Sequence, residues 1–147
     1  MVGLRQFRPE DAALIRRWEH PDLSLEEIVE TIAAWNAGSH QGRPFEMFAV
    51  VAEGRIVGRI SLLGLSPSLV SLGPEIWPEE RRKGYGRAAM VLLMERAAEK
   101  GYRIVLQQVR RDNAASVALH EGLGFESDGY GYRNRWDREV VLYLKAL

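Results

Sequence analysis

The residue pattern predicts a mixed α/β domain, and three observations carry that expectation. Phe45 to Glu53, Arg55 to Leu65 and Leu69 to Trp77 are β-rich runs separated by Glu53-Gly54 and by Ser66-Pro67-Ser68, the pattern of an antiparallel meander. A glycine turn then opens into an apolar, Ala-rich helical segment, Tyr85 to Lys100, which Gly101 closes. A further strand, Tyr102 to Val109, leads into a short helix, Asn113 to Glu121, capped by Asp112 or Asn113.

The remaining elements follow in order. Val2 to Phe7 alternates as a short strand, and Pro9 suits the first position of a helix that runs to Glu19 and breaks at His20-Pro21. Ser24 with Glu27 forms a capping box for a second helix holding Ile28, Ile32 and Trp35, and Gly38 to Pro44 reads as loop. Leu123-Gly124-Phe125 closes the last helix. Phe125 to Asp128 and Glu139 to Lys145 read as final strands around an aromatic and basic loop, Tyr130 to Arg138.

At 147 residues, with 46% hydrophobic and 27% charged, the chain suits one domain with one sizeable core, residues 1–147. A formal net charge of +0 offers no global attraction to nucleic acid or to an anionic membrane, so neither is expected as a partner. With no cysteine there is no thiol nucleophile, and without an N-terminal apolar core or a long apolar run a cytoplasmic protein is expected. His20 and His40 lack acidic partners at ligand spacing, so no metal is expected.

Glu79-Glu80-Arg81-Arg82-Lys83-Gly84-Tyr85-Gly86-Arg87 is the stretch with the clearest chemistry. First-turn N–H groups have no intrahelical partner, the dipole adds about +0.5 charge, and glycines let a ligand approach the backbone, so a diphosphate would fit. Cations at a helix start oppose the dipole unless an anion is present. In the strand before it, Pro74 cannot donate to a ladder and implies an edge, a bulge or an interrupted pairing.

Arg81-x-x-Gly84-x-Gly86 resembles the Q/R-x-x-G-x-G/A pyrophosphate motif of the GCN5-related N-acetyltransferases, the GNAT superfamily. Val109 followed by Asn113, Ser116, Leu119 and Leu123-Gly124-Phe125 is similar to that family's second conserved block at its usual distance. Gly58-Arg59-Ile60-Ser61, Glu75-Ile76-Trp77 and the closing Tyr-rich segment look most like the subgroup that acetylates ribosomal-protein N-termini and related small amines.

The resemblance implies a mixed, mostly antiparallel twisted sheet of about seven strands, helices on both faces, splayed between the fourth and fifth strands. It implies acetyl-CoA as co-substrate and an amine acceptor. Arg81, Arg82, Lys83, Gly84, Tyr85, Gly86 and Arg87 would surround the diphosphate; Ile76 and Trp77 would offer unlocked backbone N–H groups to the pantetheine arm and thioester; Asn113 and Ser116 would lie near the arm. Glu75, on the strand face of Ser71 and Gly73, is the candidate general base. The family's tyrosine acid is replaced here by His120, whose imidazole could donate a proton or simply pack. Trp18, Trp35, Tyr130, Tyr132 and Trp136 would line the acceptor side, and Asp22, Glu26, Glu27 and Glu30 would suit a cationic acceptor. A non-catalytic acyl-CoA-binding module and a nucleotide-binding regulatory domain are the competing readings, and exposed edges of the last strands leave room for a homodimer.

Overall fold

The structure, a computed structural model, describes residues 1–147. It runs β1 (Val2–Arg5), a 3-10 turn (Pro9–Asp11), α1 (Ala12–Trp18), α2 (Leu25–Trp35), β2 (Ser39–His40), β3 (Arg43–Ala52), β4 (Arg55–Gly64), β5 (Leu69–Ile76), a second 3-10 turn (Pro78–Glu80), α3 (Tyr85–Glu99), β6 (Ile104–Arg110), α4 (Ala114–Gly122), β7 (Gly131–Arg133) and β8 (Glu139–Ala146). The sheet order is β1-β3-β4-β5-β6-β8-β7, with β2 paired to β3. Every pairing is antiparallel except β5 with β6.

That parallel ladder holds only Leu69 opposite Ile104 and Val70 opposite Val105. Apart from the two-residue β2, these are the fourth and fifth strands, and beyond Val70 they diverge. The expected splay is there.

Both faces of the central strands are buried, so β3 reads Met47-Phe48-Ala49-Val50 without polar alternation. Met47 and Ala49 pack under α1 and α2 with Ile15, Ile28, Ile32 and Trp77. Phe48 and Val50 pack under α3, whose stripe Ala89, Met90, Leu93, Met94 and Ala97 follows helical spacing. Fully burying a side chain such as Leu93 contributes about 2 kcal/mol, and a polar residue there would break the contact between helix and sheet. The Ser24–Glu27 capping box forms as read, with reciprocal bonds of 3.1 Å. No helix is long and apolar enough to cross a membrane.

Three local expectations need correction. The Gly38 to Pro44 loop contains β2, which folds on β3 through Gln41 (φ 52) and Gly42 (φ 78). Two positive φ values make the tight hairpin turn, and glutamine at its first position hides the usual Asn-Gly or Asp-Gly signal. Phe125 to Asp128 is not a strand: only Glu126 bridges Leu144. The Ser127 hydroxyl accepts the Gly129 N–H at 3.1 Å and Asp128 accepts that of Tyr130 at 2.9 Å, so side chains close turns where a ladder was expected. The strand forms later, as β7, inside the segment read as loop. The helix expected from Pro9 is a 3-10 turn until Asp11 and α-helical from Ala12.

Candidate active site

The loop before α3 is pinned at Glu80. Its carboxylate accepts from Arg55 Nε at 2.6 Å and Nη2 at 2.8 Å and from Lys83 Nζ at 3.0 Å. The Arg55 hydrogen bonds, then that of Lys83, hold the Glu80 pKa down to about 2. Arg82 (φ 65) and Gly84 (φ 81) then turn the chain left-handed into the helix. Space does not require glycine at 84, since an added Cβ would meet nothing within 4 Å; the positive φ does.

Ala88 N donates to Gly84 O at 3.1 Å, which leaves the N–H groups of Tyr85, Gly86 and Arg87 without helical acceptors and without a side-chain cap. The basic run divides in function. Arg81 is committed to β5, with Nε on the Ile76 carbonyl at 2.8 Å and Nη2 on Glu75 at 3.1 Å. Lys83 is committed to Glu80, whereas Arg82 and Arg87 are exposed and make no ion pair.

The C-terminal half of β5 sits beside this turn. Trp77 N donates to Val57 O at 3.0 Å and Leu65 N to Leu69 O at 2.9 Å, so with the register between β4 and β5 the odd residues of β5 turn their peptide groups toward β4. The even residues face β6. Above Leu72 that edge therefore offers the Pro74 carbonyl, no N–H at Pro74, and the Ile76 N–H. Ile76 is placed as expected, but Trp77 is not: its N–H is locked to Val57 and its side chain is 2% exposed. Proline removes a donor only at its own position and does not release the residue three places on, whose peptide faces the opposite strand. Gly58 lets β5 lean away from β6, since a Cβ there would lie within contact of the Glu75 carbonyl and 2.8 Å from Ile76 Cα.

At the base of the gap lies a residue the sequence reading missed. Gln107 is 4% exposed; its Oε1 accepts from Leu72 N at 2.8 Å and Ser71 Oγ at 3.1 Å, and its Nε2 donates to Leu72 O at 2.6 Å. The signal was available, because Val105, Gln107 and Val109 share one buried strand face and a glutamine there needs partners. His120 is 3% exposed, packed edge-on against Phe125 with centroids 5.0 Å apart. Its Nδ1 lies 2.7 Å from Ser116 O and its Nε2 lies 3.3 Å from Gln107 Nε2. Burial pushes its pKa below the ordinary value of 6.5. Both ring nitrogens are thus engaged inside the protein. Asn113 caps α4, its side chain accepting from Ser116 N at 3.0 Å, so both residues are occupied in starting that helix while remaining at the open end of the gap.

On the α1–α2 face, Glu75 is exposed and touches only Arg81. Beside it the indole of Trp77 donates to Glu19 at 3.0 Å, and Glu19 accepts Arg59 Nε at 2.7 Å and 3.0 Å. Trp18 stacks on Trp77 with centroids 5.7 Å apart, and Arg59 lies over Trp35. Trp18 and Trp35 thereby belong to this packed wall. Tyr132 and Trp136 border a cleft of about 660 Å³ floored by Ser71, Leu72 and Gln107, whereas Tyr130 points elsewhere and is 79% exposed. Asp22, Glu26 and Glu30 are exposed on or before α2 without ion pairs, and Glu27 serves the capping box. No cluster of three His, Asp or Glu side chains converges on a metal-sized site.

A turn with three unpartnered N–H groups at the C-terminal end of a splayed strand pair, with one open N–H on the strand, is specific enough to compare. The model of the acetyltransferase (GNAT) domain matches residues 2–126. The chain belongs to the GNAT family. Among curated GNAT-type relatives, an L-methionine sulfoximine/L-methionine sulfone acetyltransferase of Pseudomonas paraeruginosa is 32% identical over 102 residues, 65% of this chain and 59% of that protein. The [ribosomal protein bS18]-alanine N-acetyltransferase of Escherichia coli is 28% identical over 87 residues, 59% of each. The match therefore spans about three fifths of the length of these relatives. Among solved structures, the Salmonella typhimurium acetyl transferase that modifies the N-terminal serine of ribosomal protein L7/L12 aligns with TM-score 0.83 at 16% identity, covering 99% of this chain and 95% of that one. Spermidine N-acetyltransferase from Vibrio cholerae, in complex with CoA and spermine, aligns with TM-score 0.80 at 18% identity and the same coverage. These likenesses show that the chain shares the fold of these acetyltransferases.

Proposed function

We propose that residues 1–147 form a single domain that moves an acetyl group from acetyl-CoA to a primary amine, a small molecule or a protein N-terminus, by direct attack in a ternary complex. The observation that carries this reading is the continuity of unclaimed backbone groups. Three free N–H groups at Tyr85, Gly86 and Arg87 lead to an open strand edge bearing the Pro74 carbonyl and the Ile76 N–H. A diphosphate suits the first set, an extended amide-bearing arm suits the second, and the Ile76 N–H is placed to polarise a thioester carbonyl. Arg82 and Arg87 supply uncommitted positive charge, and Arg81 holds the Ile76 carbonyl.

In the reaction the amine nitrogen bonds to the thioester carbon, the carbon–sulfur bond breaks, and the ammonium proton leaves. A thiol pKa of about 8.5 lets the thiolate depart with little assistance. Glu75 uses one oxygen for Arg81 and keeps the other to accept the proton, directly or through a water. An α-amine of pKa about 8, partly neutral already, needs less help in losing its proton than a lysine of about 10.4, and so is the favoured acceptor. The relatives that act on an amino-acid derivative and on ribosomal protein bS18 support this preference. The reading places the protein in the cytoplasm, where such acceptors are met.

A second reading, an acyl-CoA-binding module without catalysis, is favoured by one observation: His120 is sealed in the core and has no free proton to give. Thermal shift with acetyl-CoA, CoA and ATP separates these readings from a nucleotide-binding domain, because a ligand of the native state raises its stability. Stabilisation by ATP with none by acetyl-CoA would refute both. Thiol release across a panel of amines then separates enzyme from module.

A further inference from the structure

Two of the buried residues are polar, Gln107 and His120, and they touch. Every hydrogen-bonding valence of the Gln107 carboxamide is used: Oε1 on Leu72 N and Ser71 Oγ, Nε2 on Leu72 O and His120 Nε2. A carbonyl only accepts, so the 2.7 Å contact between His120 Nδ1 and Ser116 O puts the proton on Nδ1. Nε2 is then bare and accepts from Gln107. This arrangement fixes which way the amide points, and only that way can it meet both the N–H and the C=O of Leu72.

The backbone ladder between β5 and β6 ends at Val70, and Leu72 is the next even residue on the facing edge. Gln107 supplies there with its side chain what a peptide group would otherwise supply, one donor and one acceptor to the same residue. A side chain is longer than a peptide rung, so it ties the strands while holding them wider than the usual spacing of about 4.8 Å. We infer that Gln107 is a positioning residue, a side-chain rung that sets the width of the gap and hence the place of the Ile76 N–H, with His120 as the lock on its orientation. This rests on the acetyltransferase reading above.

The lock has a pH consequence. A proton added at His120 Nε2 sets two donors against each other, and turning the amide over would then set donor against donor and acceptor against acceptor at Leu72. Around His120, α4 presents Ser116 and Glu121, β6 presents Gln107, β8 presents Tyr143, whose hydroxyl donates to Glu121 at 3.2 Å, and Phe125 closes the remaining side. Arg111 acts on Tyr143 from beyond it. The rung therefore fails as pH falls through the titration of His120, which lies below the ordinary histidine range.

The experiment compares the wild-type chain with Gln107→Leu, Gln107→Glu and His120→Phe, measuring kcat and both KM values from about pH 5 to 8 by thiol release. Gln107→Leu is expected to raise KM for acetyl-CoA and lower kcat by about tenfold each, with KM for the amine moved less than about twofold. The acidic limb of the wild-type profile of KM for acetyl-CoA, on which protonation of the amine does not act, should vanish in His120→Phe. In Gln107→Glu it should move up by about one unit, because a carboxylate beside the imidazole favours its charged form. A merely structural role would lower Tm and leave the KM ratio and the limb in place; that result, in an active wild type, overturns the inference. If the wild type neither binds acetyl-CoA nor releases thiol, the functional reading has failed, and hydrogen exchange at Leu72 decides the rung separately. Protection lost in Gln107→Leu, which removes the acceptor of the Leu72 N–H, supports it, and equal protection refutes it.

Discussion

Replacing Glu19 by alanine should destabilise the end of β5 through the loss of one shared acceptor. Glu19, with its side chain 10% exposed, is the shared acceptor of Arg59 and of the Trp77 indole, and Arg59 is 27% exposed. Removing one partner of a fully buried pair costs about 3–5 kcal/mol, since the other charge stays uncompensated. Arg59 reaches some solvent, which places the loss at the low end, about 3 kcal/mol, with the unpaired indole N–H included. In a domain of this size 1 kcal/mol shifts Tm by about 2–4 °C, so Glu19→Ala should lose about 6–12 °C in a melt followed by circular dichroism. Arg59→Met should cost less, and the double variant should recover part of the sum, giving a coupling of about 1–3 kcal/mol. Because Trp77 follows Ile76 directly, the KM for acetyl-CoA should rise as well. A Tm loss under about 2 °C, or strict additivity in the cycle, would refute the view that this triad anchors the strand end.

Gly84→Ala forces a side chain into the left-handed region at φ 81, which costs about 1–2 kcal/mol, and should weaken acetyl-CoA binding in calorimetry without affecting the amine. Gly58→Ala places a Cβ against the Glu75 carbonyl and 2.8 Å from Ile76 Cα; thiol-release kinetics should show kcat down about tenfold or more, and wild-type turnover would show that the Ile76 backbone position does not matter. Arg82→Glu, at a basic residue with no ion pair, should abolish the thermal shift given by CoA while leaving the Tm of the free protein within about 2 °C. The lowered Glu80 pKa means its contribution to stability is complete above the ordinary carboxyl value of 4.5 and is lost as pH falls toward about 2. Arg55→Met should therefore narrow its Tm difference from wild type across that window, measured by acid titration of the melt.

Local patterns were legible because their causes are local. The Ser24 and Glu27 box, the meander, the glycine at 84 and the asparagine cap at 113 each act through neighbours a few residues away, so their spacing shows them. Turn chemistry failed where an uncommon residue filled a known role, as Gln41 does, or where Ser127 and Asp128 bonded their own backbone in a run that looked like strand. The left-handed glycine turn with its open N–H groups and the unpaired Ile76 N–H were readable from motif and strand order. Trp77 was misplaced, because which way a peptide group faces depends on the partner strand and not on the distance from proline.

The sequence by itself determined the fold class and the family, the first through hydrophobic periodicity and the second through the likeness of two motif blocks to those of known acetyltransferases. Only the tertiary structure decided how the gap is held. Gln107 meets Leu72 across 35 residues, Arg59 meets Glu19 across 40 and Trp77 meets Glu19 across 58. A buried polar side chain announces that it needs a partner, but which partner is decided by the packing of strands and helices that brings distant residues together. His120 shows the difference most plainly: the sequence leaves it open between proton donor and packing residue, and the structure buries it with Nδ1 against Ser116 O and Nε2 against Gln107.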